Sequence, residues 1–457
     1  MNYTVVGIDS IRWFYLTKER VELKKVAFHT LGCKLNFAET SSIARKFTDN
    51  GYERVDFNES ADIYIINTCS VTKKADKKSE QFIKKARRLN PDAQIVVMGC
   101  YAQLQAEKIA SIEGVDLILG SNEKFRVKDY VENRVKTGQP EIHSCNIEDA
   151  AAYFPSFSYG DRTRSFLKIQ DGCDYHCSYC TIPLARGNSR NQSIQSIVEE
   201  AKKIGQTDVK EIILTGVNIG DFGKTTGESF LELIKALDQV EGIERIRISS
   251  IEPNLLTNEI ISFVKNSEKF LPHFHIPLQS GCNEILAQMK RRYKRELFQD
   301  RVEYIRKEIP DAFIGVDVIV GFPGEDECKY QETYQFLESL DASFYHVFSY
   351  SQRPNTPAAS MHAQTPKNII TSRSKELQQL AEQKQMIFYR QNLGATRPVL
   401  FESHQKKDKM FGFTDNYIKI ELPYSNELTD QIKKVQLKEI NENNNVTGMI
   451  LSFLESY

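Results

Sequence analysis

Cys173, Cys177 and Cys180 stand on one short stretch, DGCDYHCSYCTIP (171–183), in a C-x3-C-x2-C spacing. Three thiolates on one loop can hold three irons of a [4Fe–4S] cluster and leave the fourth iron open to a small molecule. A structural zinc would want four ligands. The nearest fourth donor, His176, is adjacent to Cys177 and awkward for one tetrahedral ion. Three more cysteines share a different context. Cys33, Cys69 and Cys100 each close a strand-like word, HTLGC, IINTC and VVMGC. Ligands of open α/β sheets gather outside the carboxyl ends of strands, so three thiolates there could converge on one site. A buried cysteine is also simply a small apolar residue, and spacing alone leaves both readings open. Cys145, Cys282 and Cys328 match no ligand pattern.

The elements around these residues follow two rhythms. Residues 23–140 alternate strands (24–33, 61–69, 93–100, 115–121) with helices (to about 50, 73–90, 103–113, 125–137). That alternation predicts a parallel sheet covered by helices, an N-terminal α/β domain. Residues 141–164 read as a linker. From 165 to 385 the alternation resumes with six strands, SFLKIQDG, EIILTGVNI, RIRISSIEP, HFHIPLQSG, AFIGVDVIVGFPGE and SFYHVFSYS, and a polar helix at 366–390. Six βα units predict a closed or partial barrel. Residues 390–457 change texture to short β-branched and aromatic runs, which predicts a small all-β domain, plausibly a barrel.

Composition bounds the function. The chain has 457 residues, with 60 Lys+Arg against 61 Asp+Glu and a net charge of -1, so a globally basic nucleic-acid binder is excluded. A local basic face is not. The helix at 73–90 has one: Lys77, Lys78, Lys84 and Arg87 stand opposite Ala75, Phe82, Ile83, Ala86 and Leu89. Arg291 and Arg292 belong to a second basic run. Both are RNA-contact candidates; a solvated helix face is the plainer reading. Phe411, Phe413 and Tyr417 could stack on RNA bases or fill a core. No apolar run is long enough to span a membrane, and residues 1–20 lack a secretory pattern, so a cytoplasmic home with reduced cysteines is expected.

The cysteine words resemble known families. C-x3-C-x2-C with Tyr179 before the last cysteine is similar to the radical S-adenosylmethionine (SAM) enzymes. The resemblance implies that SAM chelates the open iron, is cleaved to a 5′-deoxyadenosyl radical, and that 165–350 is a partial (β/α)6 barrel. LGCKLNFAET, NTCSVT and GCYAQ resemble the N-terminal domain of the methylthiotransferases. That resemblance covers about residues 23–455. It implies a second [4Fe–4S] cluster on Cys33, Cys69 and Cys100 that holds the donor sulfur, and a C-terminal RNA-binding TRAM domain. Residues 1–22 have no counterpart in it.

Within that family, CSVTKKADKKS (69–79), GVNIGDFG (216–223) and HIPLQSGCNEILAQMKRRY (275–293) look most like the type acting on threonylcarbamoyladenosine (t6A) in tRNA. Methylthio insertion at C2 of t6A at position 37, next to the anticodon, is the implied reaction. The alternatives are isopentenyladenosine in tRNA, an aspartate of a ribosomal protein, and, in another class, a non-catalytic iron–sulfur RNA-binding protein. By resemblance Gly216 and Asn218 bind the amino group of SAM, Ser249 and Glu252 lie near its ribose, and Gln279 ends the next strand of the pocket. SAM would serve as methyl donor and radical source. Implied partners are tRNA, a one-electron reductant such as flavodoxin or ferredoxin, and the iron–sulfur assembly machinery. Asp171, Arg186 and His275 receive no assigned role.

Overall fold

The computed structural model describes residues 23–135, 138–147, 152–160 and 162–451. The segment 1–22 singled out in the sequence lies outside these residues.

The first layer is a six-stranded parallel sheet: β1 (Lys25–Thr30), β2 (Glu53–Val55), β3 (Ile63–Thr68), β4 (Gln94–Gly99), β5 (Leu117–Leu119) and β6 (Glu141–His143), in the order β2-β1-β3-β4-β5-β6. β3 (IYIINT) is buried along its whole length, as expected for a parallel strand covered on both faces. Hydrophobic clusters lie on either side of the sheet, one around Tyr64, Ile83 and Val97, the other around Ile43, Phe47 and Ile65. The edge strands β2 and β6 were not legible in the sequence. Each is three residues long, too short for alternation to register. β6 also corrects the expected linker: residues 141–143 belong to the first sheet. Two further residues are anchored, since Tyr153 packs in the central core and Phe154 stacks on Phe125.

The second layer has six strands where the sequence placed them: β7 (Arg164–Lys168), β8 (Glu211–Thr215), β9 (Arg245–Ile248), β10 (His273–Gln279), β11 (Phe313–Val320) and β12 (Phe344–Ser349). They pair in parallel as β7-β8-β9 and β10-β11-β12. Parallel bridges Ile246↔Phe270 and Ser250↔His275 stitch the two sheets together. Along β10, Phe274, Ile276 and Leu278 pack into the helix-side core; the intervening residues face the other way, into the hollow the strands surround. The helix Lys34–Thr48 of the first layer reaches across to this inner face, where Ala38 meets Phe166 and Ile213.

After the helix Lys367–Asn392, five strands follow: β13 (Thr396–Lys406), β14 (Lys409–Thr414), β15 (Lys419–Pro423), β16 (Ile432–Ile440) and β17 (Val446–Ile450). Their pairing closes on itself in the order β13-β14-β15-β17-β16. This unit docks on the floor of the second layer through charge. Arg247 donates to the carbonyls of Asp415 and Thr414, and Arg245 to that of Pro398. Buried Glu211 holds Arg164, Arg247 and Arg245 at 3.0, 3.0 and 3.6 Å. Burial alone would raise the Glu211 carboxyl; Arg247, Arg164 and Arg245 outweigh it and hold it at about 2. A depressed carboxyl gives stability that is full above its unfolded value and lost as pH falls through the folded one. Acid unfolding followed by circular dichroism should therefore cost wild type roughly 3 kcal/mol more than Glu211→Gln between about pH 4.5 and 2.

Candidate functional site

The first cysteine group occupies the loop after β7. Gly172 opens it in a left-handed conformation (φ +69°), and a Cβ there would stand 1.9 Å from the Asn188 carbonyl oxygen, so only glycine fits. The Cys173 amide donates to the Gly187 carbonyl (3.0 Å), and the Cys180 amide to the Cys177 carbonyl (3.1 Å). Backbone amides of Tyr175 and Ile182 point at the sulfurs of Cys173 and Cys180 (3.4 and 3.5 Å). Burial pushes the thiols of Cys173 and Cys180 up to about 12, so binding a metal centre must release their protons. His176 is exposed while Cys177 is buried, which removes the histidine as a shared ligand.

The second group of cysteines follows three strands of the first sheet. β1, β3 and β4 are neighbours, so Cys33, Cys69 and Cys100 follow three adjacent strand ends. Gly32 (φ +103°) makes the approach: a Cβ on it would lie 2.6 Å from Cys69 Cβ and 2.9 Å from its sulfur. Burial pushes the Cys69 thiol up to about 12, and the neighbouring Cys100 and Cys33 add to the shift. Among the described residues neither cysteine trio gathers its three sulfurs within 4.8 Å of one another. Two thiolates on one tetrahedral zinc stand only about 3.8 Å apart, from a Zn–S bond of about 2.3 Å. That spacing is wider than one tetrahedral zinc needs, and a larger, multi-metal group remains the candidate for both trios.

Charge supports the same fit. Arg186, wholly buried, contacts Asn36 (2.5 Å), Glu39 (3.1 Å) and Asp171 (2.9 Å). Glu39 also takes Lys124 (2.5 Å) and Lys168 (2.9 Å), and Asp171 takes Lys168 (2.7 Å) and Arg190 (3.3 Å). Two carboxylates thus face four cations. Arg186 lowers the thiols of both Cys33 and Cys69, against the burial that raises them. A group held by three thiolates carries negative charge, and this buried excess of positive charge suits it. Asp171 and Arg186 were visible in the sequence without a role. Glu39, Lys124 and Lys168 were missed, because isolated charges in amphipathic elements give no signal.

The predicted SAM-pocket residues cluster beside the first trio. The Gln170 side-chain oxygen accepts from the amides of Val217 and Asn218 (3.0 and 2.9 Å), which fixes the turn after Gly216. Asn218 Oδ1 and Gln279 Oε1 are buried with no hydrogen-bond partner among the described residues. Gln279 also holds a left-handed backbone (φ 72°) at a bulge in β10. Orphaned acceptors and strain of this kind mark ligand sites. Ser249 is buried and Tyr179 half-buried. Glu252 pairs with Arg291, and Arg291 Nη1 lies 3.1 Å from the Cys177 sulfur. Arg291 is therefore not a surface RNA contact. Its side chain is 3% exposed and serves the cysteine loop. Arg292 stays exposed, over the Tyr175 ring at 3.9 Å.

Lys77, Lys78 and Lys84 are exposed on the helix Lys73–Leu89, and Arg87 is half-buried against Gly114. Asp76 of that helix is turned inward onto Arg353 (2.7 Å), which also donates to Ser70 beside Cys69. Tyr417 and Phe413 do not offer free stacking faces. Tyr417 packs on His273 and Arg247, and Phe413 lies under Arg164. Cys282 packs with Ile285, Met289 and Phe322, and Cys328 is exposed. Beside Cys180 opens a cleft of about 210 Å3, lined by Val71 and Thr72 of the first layer, by Tyr179, and by Gln279, Asp317 and Ile319 along the strand ends.

The comparisons with known proteins agree with this geometry. Residues 167–337 match the Radical SAM superfamily, and residues 25–120 match the uncharacterized protein family UPF0004. A solved structure of the radical SAM methyltransferase TsrM from Kitasatospora setae shares the fold, with a TM-score of 0.55 at 15% identity, over 74% of this chain and 77% of that one. The protein is thus a radical SAM enzyme. Proteins named threonylcarbamoyladenosine tRNA methylthiotransferase MtaB are similar to it along nearly their whole length. The one from Bacillus subtilis (strain 168) is 40% identical over 90% of this chain and 93% of that protein. The one from Aquifex aeolicus is 38% identical over 87% and 96%. A tRNA-2-methylthio-N(6)-dimethylallyladenosine synthase from Desulfotalea psychrophila stands at 31% over 84% and 89%. The chain belongs to the methylthiotransferase family, on the side of its MtaB-type members.

Proposed function

We propose that this enzyme inserts a methylthio group at C2 of t6A at position 37 of tRNA. The observation that carries the reading is the pair of cysteine trios on two layers, with a cleft beside Cys180 that the segment after Cys69 also lines. Cys173, Cys177 and Cys180 would hold the cluster that binds SAM, and Cys33, Cys69 and Cys100 the cluster that supplies the sulfur. Together these groups bring radical cleavage of SAM and a sulfur donor, which an unactivated aromatic C–H requires. The protein's own part is positional. Gln170 shapes the Gly216–Asn218 turn for SAM, with Ser249, Glu252, Gln279 and Tyr179 around it. Arg291 and Arg186 place positive charge beside each trio.

In this reading residues 23–140, extended by β6, form the methylthiotransferase domain. Residues 165–385 form a partial (β/α)6 barrel, and 390–457 a TRAM-like RNA-binding barrel. The exposed Lys77, Lys78, Lys84 and Arg292, with Arg87, offer a face to tRNA phosphates. A flipped-out loop nucleotide would enter the cleft. A one-electron reductant, iron–sulfur assembly proteins and a cytoplasmic location complete the picture. No helix among the described residues is long and apolar enough to cross a membrane.

Nucleoside mass spectrometry tests the reading. Reconstituted protein, SAM and reductant should convert t6A-containing tRNA to its 2-methylthio form and leave isopentenyladenosine-containing tRNA unchanged. A product only from the isopentenyl substrate would move the enzyme to the other branch of its family. SAM cleavage without either product would point to a protein substrate.

A further inference from the structure

A brace from the second layer joins the two cysteine segments. After β12 the chain turns at Pro354 and Asn355 and forms a short 3-10 helix, Pro357–Ser360. One end of this stretch is fixed to the first trio. The Ala358 amide donates to the Ser178 carbonyl at 2.8 Å, and Ser178 lies between Cys177 and Cys180. Thr356 Oγ1 donates to the Arg353 carbonyl (2.8 Å) and stiffens the turn. The other end reaches the first layer. Arg353 Nη2 donates to the hydroxyl of Ser70 (2.8 Å), the residue after Cys69. Its Nη1 and Nη2 also meet the two carboxylate oxygens of Asp76 (2.7 and 3.2 Å). The cysteine motifs give Arg353 no role.

Arg353 is 4% exposed, and Ser70 and Asp76 are buried. Among the described residues Asp76 is its only ion-pair partner. Two weaker contacts hold the same stretch of the first layer. Thr181, next to Cys180, donates to the Ser70 carbonyl at 3.5 Å, and the Lys73 amide donates to Ser351 Oγ at 3.3 Å. Between these anchors stand Val71 and Thr72, the two residues that the first layer gives to the cleft beside Cys180. Val71 is 56% exposed, so packing does little to hold it. Its place follows from the anchors on either side.

We propose that Arg353 is a positioning residue for methylthio transfer: it fixes the segment after Cys69 against the Cys177–Cys180 loop and so sets where the Val71–Thr72 wall of the cleft stands. The inference rests on the two-trio reading above. In that reading one carbon of the base is reached from both trios in turn, so the spacing of the two cysteine segments decides whether a radical event ends in transfer. An arginine suits the post. Its planar fork meets a carboxylate with two parallel contacts, and the second hydrogen of Nη2 remains for Ser70. A lysine offers a point charge on a flexible stem and does not reproduce that fork. Loosening the brace leaves the first trio on its own loop after β7, where Arg291 still meets Cys177. SAM cleavage is therefore separable from the transfer that the brace serves.

The test counts 5′-deoxyadenosine and methylthio product together in the reconstituted holoenzyme acting on an anticodon stem-loop that carries t6A. Arg353→Gln should retain SAM cleavage and lower the product formed per 5′-deoxyadenosine by about 10- to 100-fold, the cost of a misplacement near 1 Å. Asp76→Asn removes the same link from the other layer and should lower the ratio in the same direction. Arg353→Lys should fall between Arg353→Gln and wild type. Hydrogen exchange of the same holoenzyme, read by mass spectrometry, is independent of turnover. Amides of residues 70–76 should exchange about tenfold faster in Arg353→Gln, with β3 and residues 173–180 unchanged. An unchanged ratio, an equal loss of cleavage and product, or unchanged exchange at 70–76 would overturn the proposal. If Arg353→Gln does not fold, Asp76→Asn is judged by the same outcomes. Failure of the t6A reading itself looks different: wild type would give no product from the t6A stem-loop. The ratio is then read on the substrate that wild type does convert, and exchange at 70–76 still decides whether Arg353 holds the wall.

Discussion

Cys177→Ala is expected to abolish both 5′-deoxyadenosine formation and methylthio transfer, each by at least about 1,000-fold. Cys69→Ala is expected to abolish methylthio transfer equally while keeping SAM cleavage within about threefold of wild type. The contrast follows from where the two sulfurs stand. Cys177 is on the loop after β7, its sulfur 3.1 Å from Arg291, which in turn holds Glu252, a residue proposed for the SAM pocket. Cys69 follows β3 of the other sheet and is packed against Gly32. Each sulfur therefore serves one trio. Chromatographic assay of 5′-deoxyadenosine beside nucleoside mass spectrometry reads the two losses separately. Iron analysis should show each variant losing about half of the roughly eight irons of two [4Fe–4S] groups. Loss of SAM cleavage in Cys69→Ala would mean that the trios are not separable, and the division of labour between the domains would have to be given up.

The trios were legible because cysteine is rare and its neighbours are patterned. C-x3-C-x2-C announces itself on one loop, and the other trio announces itself through three strands of a parallel sheet. The six strands of the second layer were legible for the same reason, since each is an apolar run ending in turn residues. What escaped was everything decided by contacts distant in sequence. Arg291 reads as one basic residue in a basic run, yet it is drawn inward by Glu252, 39 residues away. Tyr417 reads equally as a base-stacking or a core aromatic, and only the distant His273 and Arg247, which cover it, decide for the core. β6 was hidden because a strand with one apolar residue has no period. The buried charge network was invisible because its members come from both layers, and even those inside a quoted motif, Glu39 and Asp171, pair with residues far away in sequence.

That network carries the second large effect. Glu39→Gln should lower stability by about 3–5 kcal/mol, the usual cost of leaving a buried charge without its partner. Lys124 is the reason. Its side chain is fully buried, and Glu39, at 2.5 Å, is its only ion-pair partner among the described residues. Arg186 and Lys168 keep Asp171 when Glu39 is neutralised, so they are partly protected. Adding Lys124→Met to Glu39→Gln should therefore recover much of the loss, because the orphaned charge leaves with it. Burial raises the Glu39 carboxyl, but Arg186, Lys124 and Lys168 outweigh it and hold it well below the ordinary carboxylate range. The stability it gives is thus complete above about pH 4.5 and fades only in acid below that. Between about pH 6 and 9 the gap in melting temperature between wild type and Glu39→Gln should stay flat, measured by scanning calorimetry. A double variant no more stable than Glu39→Gln alone would show that Lys124 is not the source of the cost. Glu39 would then act through Arg186, beside Cys33, and the variant should lose iron from the second trio before it loses its fold.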